Sequence, residues 1–189
     1  INAFLAKAGS LIVQLKERAD VSPYIVSELT ALFREVKEAM EKIKELETNI
    51  DSIAKTLKQY DLFRSAPVVG PITAATMLVL LCNPALFKNG REFAAYIGLA
   101  PKSSGSGGKN FVTHIPKKCE CNNDVRALLV QCAHSICRCK HKSDWVSSIL
   151  ARKPKKVAII AIANKLARQL WIMAKKGEKF EKRFILAAV

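Results

Sequence analysis

The chain has 189 residues, with 31 Lys and Arg against 16 Asp and Glu, six Cys, and half of its residues apolar. That length supports one sizeable core or two small domains, and the composition excludes a disordered or collagen-like chain. The first sixty residues carry nine basic and nine acidic side chains, so the whole excess of +15 falls after residue 60, as expected of a structural element feeding a polyanion-binding domain.

Residues 1–21 read as a helical remnant in which Ala3 to Leu15 forms a short apolar helix. Ser22-Pro23 then supplies a helix start: Ser22 is the capping acceptor, and Pro23 stands at the first helical position, where its missing N–H costs nothing. From Leu29 the apolar residues fall at 29, 32, 36, 39, 43, 46, 50, 53, 57 and 60 in alternating steps of three and four. This a/d pattern predicts a coiled-coil helix over residues 22–60, with Glu and Lys on its solvated faces.

After Tyr60 the texture changes to short helices, glycine turns and basic clusters, predicted as one domain over residues 61–189. Pro71 opens a helix over Ile72 to Cys82, and a second runs from Gly90 to Ile97 with Gly98 as its C-cap. Lys102 to Lys109, KSSGSGGK, reads as a loop by composition, with a short extended piece around Phe111 to Ile115. Asn123 to Lys140 is a helical window with Val125, Leu128, Leu129, Cys132 and Ile136 on one face. Residues 157–174 are apolar nearly all round, which places that helix at the centre of the core.

The uncharged stretch Ser65 to Phe87 has the length of a bilayer span but is cut by Pro67, Gly70, Pro71 and Asn83-Pro84, so no membrane association is expected. No secretory signal is recognised at Ile1 to Ala8, and a start at Ile1 points to a processed or truncated chain. The six cysteines therefore read as reduced thiols of a cytoplasmic protein. Their spacing, C-x-C and C-x4-C-x-C, fits small buried thiols better than zinc knuckles, and a zinc-stabilised interaction domain is the weakest of three readings.

Ser65 to Ala75, SAPVVGPITAA, reads as a helix-hairpin-helix turn in which Gly70 precedes a helix start whose N–H groups receive phosphate oxygens. Val68 stands where that motif usually has glycine, and the competing reading is a turn that packs into the core. Gly105 to Lys109 fails the Walker pattern twice, at Ser103 and at Asn110. Two readings remain open for it: a flexible connection, or a serine nucleophile held by glycines and flanked by Lys102 and Lys109. Lys117-Lys118 and Arg152-Lys153 with Lys155-Lys156 form basic clusters suited to a nucleic-acid surface.

Taken together, Pro67 to Thr76, Phe93 to Pro101, Ser106-Gly-Gly-Lys109, Ile115-Pro-Lys-Lys118, Arg126 and Lys165-Leu-Ala-Arg168 resemble the C-terminal half of transposases of the one-ten insertion-sequence family, the DEDD recombinases. The resemblance covers residues 65–177, and the preceding coiled coil matches the family's layout. It implies that a RuvC-like domain, absent from this sequence, binds magnesium through four acidic residues. It also implies that a serine of the C-terminal domain, here Ser106, attacks the DNA phosphodiester. The family is guided by a structured RNA and associates into homo-oligomers, here through the coiled coil. This chain departs from the pattern at Asn110, Phe111, Thr113, His114 and Cys119. His114 stays outside the catalytic set, because a lone histidine is more often structural.

The resulting expectation is a mostly all-α fold: a long coiled-coil helix followed by a compact helical domain with a helix-hairpin-helix-like turn. Its function would be that of the C-terminal fragment of an insertion-sequence transposase, with no metal or cofactor in this chain and Ser106 catalytic. The alternative is a non-enzymatic helical DNA-binding module. The expected DNA-binding residues are Lys102, Lys109, Lys117, Lys118, Arg126, Arg152, Lys155, Lys156 and Gly70. Arg126 also reads as structural, since it opens an apolar helix.

Overall fold

The structure is a computed structural model describing residues 2–18, 20–101, 103–106, 109–112 and 122–180. The chain divides into two units, residues 1–49 and 50–189. As expected, the fold is mostly helical.

The first unit holds α1 (Asn2–Lys16) and most of α2 (Pro23–Ala54). α1 meets α2 at Gly9, where a Cβ would stand 3.4 Å from the Phe33 ring. Val26 is buried, while Lys37 holds its ammonium 4.9 Å from the centre of the Phe33 ring. Pro23 takes the first helical position, as its sequence context predicts. The a/d stripe is uncovered, with Leu32 56% exposed, Ile43 55% and Leu46 49%.

The predicted helix over residues 22–60 requires a correction, since α2 stops at Ala54. Its hydrogen bonds tighten there to three-residue spacing: Thr56 N–H donates to Ile53 O at 3.2 Å and Leu57 N–H to Ala54 O at 3.0 Å. Tyr60 then opens α3 (Tyr60–Arg64) as a core residue only 1% exposed, its hydroxyl donating to the Asp51 carboxylate at 2.5 Å. The heptad step to residue 60 is broken because that ring is worth more in the core than on an open stripe.

The second unit is built around α8 (Lys155–Lys176), apolar nearly all round and buried at most of its apolar positions between Ala158 and Ala174. It is long and apolar enough to cross a membrane, but most of that apolar surface is covered by protein, as in a core helix. Gly177, at φ +71°, ends it in the left-handed conformation that suits glycine, with its N–H on Met173 O at 2.8 Å. Around α8 pack α3, the short 3-10 turn Pro84–Leu86, α5 (Gly90–Tyr96), α6 (Asn123–Arg138) and α7 (Asp144–Arg152), while α4 (Pro71–Leu80) packs on α3 and α6. The face of α6 predicted to be buried is buried at Val125, Leu129, Cys132 and Ile136, with Leu128 at its edge.

Two further differences from expectation appear. Helix α7 went unpredicted, although its start is legible: Ser143 caps it by accepting from Val146 N–H at 3.4 Å, and Asp144 occupies the first turn. The KSSGSGGK segment is not a loop throughout. Ser103–Ser106 forms β1 and Lys109–Val112 forms β2, paired antiparallel. Gly107-Gly108 lies between them in sequence, the composition that two-residue hairpin connections favour.

Candidate serine hairpin and nucleic-acid interface

The hairpin register pairs Ser106 with Lys109, Gly105 with Asn110 and Ser104 with Phe111. The candidate nucleophile therefore stands directly across the ladder from one of its two predicted basic flanks. The other flank, Lys102, lies outside the described residues, as do Lys117, Lys118, His114, Cys119 and Cys121. Ahead of the hairpin the chain is held to α8. The Asn164 side-chain amide donates to Leu99 O at 3.0 Å, just ahead of β1. On the same helix Gly90 meets the Arg168 backbone, where a Cβ would stand 3.2 Å from its Cα and carbonyl oxygen.

One residue beyond Asn164, Lys165 lays its ammonium 3.7 Å from the centre of the Trp145 ring. Burial lowers its pKa below the usual lysine value, and the neighbouring Arg168 charge lowers it further. Neither Lys165 nor Trp145 belonged to the predicted site set. Lys165 does fall within the Lys165-Leu-Ala-Arg168 run that carried the resemblance.

The turn before α4 has its own geometry. Val68 sits at φ +63°, a left-handed conformation that costs a non-glycine residue about 1–2 kcal/mol. Arg64 holds the turn by donating from Nη1 to Val69 O at 2.5 Å. Gly70, by contrast, has ordinary φ and ψ of −78° and 174°, and an added Cβ would meet nothing within 4 Å. Neither conformation nor packing within the described chain calls for glycine there. It leaves the N-terminus of α4 open, where the first-turn N–H groups and the helix dipole favour an anion.

The remaining predicted cations separate into two groups. Arg126 lies in the first turn of α6 and donates from Nη2 to Asn123 Oδ1 at 2.8 Å, so it is tied to its own helix end. Arg152 ends α7, donating from Nε to Ser148 O at 3.4 Å, while Lys155 and Lys156 begin α8. The first turn of α8 contains no acidic residue, so both ammonium groups add to the positive end of its dipole. The fold adds a residue that sequence reasoning missed. Lys142, bonded to Cys139 O at 2.6 Å, shares the surroundings of the Cys137 thiol with Lys155. Burial pushes that thiol's pKa up, and the two ammonium charges oppose the shift.

Cysteines 82, 132, 137 and 139 are free thiols. Cys132 is buried beside Thr73, with 3.9 Å between Sγ and Oγ1, and burial raises its pKa. Among the described residues no three His, Cys, Asp or Glu side chains come together as a metal site.

Residues 60–146 match the family described as transposase IS116/IS110/IS902. The y4pF/y4sB protein of Sinorhizobium fredii, which is named a transposase, is 35% identical over 93% of this chain and 47% of its own length. The transposase for insertion sequence element IS1328 of Yersinia enterocolitica is 31% identical over 90% of this chain and 52% of its own length. The transposase for insertion sequence element IS1111A of Coxiella burnetii is 27% identical over 89% and 47%, respectively. The chain thus spans about half the length of the curated relatives it matches.

Proposed function

Because the chain belongs, through residues 60–146, to the IS116/IS110/IS902 transposase family, we propose that it is the C-terminal part of an insertion-sequence transposase, binding DNA and supplying the serine that cuts and rejoins it. The observation that supports this reading is the antiparallel pairing of Ser106 with Lys109 inside the matched segment. A serine on a ladder is better positioned than one on a free linker.

In this reading the Ser106 hydroxyl oxygen attacks a DNA phosphorus. An Oγ–P bond forms while the bond from phosphorus to one deoxyribose oxygen breaks, the serine gives up its proton, and the departing oxygen gains one. Attack by a strand hydroxyl on the phosphoserine reverses these changes and rejoins the DNA, so no phosphodiester is lost to water. Lys109 places positive charge near the phosphate, and the glycines allow a nucleic-acid backbone to come close.

Away from the hairpin, Gly70 with the open start of α4, and Arg152, Lys155 and Lys156, hold phosphates without reading sequence. Lys102, Lys117 and Lys118 belong to the same proposed set from sequence alone. Magnesium, held by a RuvC-like acidic domain outside this sequence, would stabilise charge on the phosphoryl oxygens. The described acidic residues of this chain do not fit that ion, since no three converge, and no step above runs through it. A structured guide RNA and a second copy of the chain, associated through α2, complete the proposed partners of a cytoplasmic DNA-acting protein.

The test uses full-length protein with magnesium, its RNA and nicked or suicide DNA substrates, resolved on a denaturing gel beside Ser106→Ala. A covalent protein–DNA adduct that disappears in the variant supports the reading. DNA binding without any adduct would favour a non-enzymatic DNA-binding module instead.

A further inference from the structure

The first unit contains a groove of about 480 Å³ that the proposed function does not use. Lys16, at the end of α1, and Arg34 of α2 bring two cations to it, and Ser27 and Thr30 bring hydroxyls. The rest of the lining, Pro23, Val26 and Ala31, is apolar, and no described acidic residue belongs to it. Sites for small organic ligands occupy roughly 300–1,000 Å³ and join apolar walls to a few polar groups in the same way.

Both cations are available to a ligand. The Lys16 ammonium makes no ion pair or hydrogen bond among the described residues. Arg34 has only a loose approach from Nε to Glu38 Oε1 at 3.9 Å, with both side chains exposed, and such a pair yields to a better partner at little cost. Its planar fork of N–H groups matches two oxygens of a phosphate. Of the two hydroxyls, Thr30 already donates to Val26 O at 2.7 Å, which leaves Ser27 as the donor.

The groove also stays open when the apolar stripe of α2 is covered. Pro23, Ser27, Thr30 and Arg34 follow one another at steps of four, three and four, which places them on the helix face opposite Leu29, Leu32 and Val36. Two cations and a hydroxyl donor call for an anion. The apolar wall calls for an organic group attached to it, since a bare ion would leave that wall in water.

We propose that this groove binds a nucleotide, with its phosphate held by Lys16, Arg34 and the Ser27 hydroxyl and its sugar and base laid against Pro23, Val26 and Ala31. A free nucleotide and one residue of a nucleic-acid strand offer the same phosphate-ester chemistry. The site lies outside the unit that carries Ser106 and does not depend on that serine's role.

Calorimetric titration of the chain at physiological salt, with AMP, inorganic phosphate and adenosine as separate probes, tests the site. AMP should bind more tightly than phosphate, and adenosine should give no measurable heat. Lys16→Gln and Arg34→Gln should each weaken AMP by about tenfold, the loss expected of one charge-assisted hydrogen bond. Amide NMR shifts of the parent locate the ligand without any substitution, and Ser27, Ala31 and Arg34 should move as AMP saturates. Unchanged AMP affinity in both variants, or shifts confined to the second unit, overturns the site. Equal affinity for AMP and phosphate overturns the nucleotide and leaves an adventitious ion only. A short oligonucleotide then separates the sources: binding tighter than AMP and weakened by the same two substitutions supports the site as one for a strand, and weaker binding than AMP supports it as one for a free nucleotide. The Ser106 adduct assay reads none of these residues, so failure there and failure here are distinguishable.

Discussion

The Asn164 amide and the Leu99 carbonyl, 65 residues apart in sequence, are joined by a 3.0 Å hydrogen bond that ties the approach to the serine hairpin to the core helix. Asn164→Ala leaves that carbonyl without its partner and is expected to cost about 1–2 kcal/mol of stability. If the hairpin carries the nucleophile, the same change should lower adduct formation by more than the reduced folded fraction accounts for. Urea unfolding and a quantified adduct assay on the same preparation separate the two effects, and a decline that tracks stability alone would make Asn164 merely structural.

Two glycines should respond in opposite ways. Gly90→Ala drives a methyl group into the Arg168 backbone and should destabilise by about 1–3 kcal/mol, because a helix backbone cannot swing aside as a side chain can. Gly70→Ala meets nothing and keeps an ordinary conformation, so stability should stay level or rise by up to about 1 kcal/mol. Its effect should appear instead as weaker duplex binding. Thermal melts and a DNA titration of both variants check the contrast.

At the start of α8, Lys155 and Lys156 oppose the helix dipole. The double change Lys155→Ala, Lys156→Ala should therefore raise stability by a few tenths of a kcal/mol while weakening DNA binding. Every phosphate that these ammonium groups no longer neutralise should flatten the log–log dependence of affinity on salt by about 0.9. An unchanged salt slope with unchanged affinity would remove these residues from the interface.

The bond from Tyr60 to Asp51 gives a pH signature. Burial first, and the Asp51 carboxylate second, push the Tyr60 hydroxyl up to about 12 from its ordinary value of 10. A raised folded-state pKa means that the contribution is complete below about pH 10 and fades as pH climbs through about 12. Urea midpoints of the parent should therefore converge on those of Tyr60→Phe across that alkaline window and stay above them at neutral pH. At the acid end the sign reverses for Asp51. Its pKa is lowered by the hydrogen bonds of Lys55 and Tyr60, so its contribution is present above the ordinary carboxylate range and is lost on descending through it.

Much of this protein could be read from local sequence. The Ser22-Pro23 start of α2, the a/d stripe, the all-round apolar α8, the face of α6 and the family motifs each depend on residues within a few turns of one another, and periodicity and capping report such relations directly. The serine hairpin was half legible. Its residues were singled out as a candidate site, but a Gly/Ser-rich run carries no alternating apolar signal, so composition described the strands as loop. What only the tertiary structure decided involves partners far apart in the chain. Tyr60 continues the heptad count yet turns into the core, because burial and the Asp51 bond outweigh one more exposed stripe position. Asn164 anchors Leu99, and Trp145 seats Lys165. No spacing rule anticipates these meetings, since each depends on how the helices reverse and pack, a choice made by the whole core rather than by any one segment.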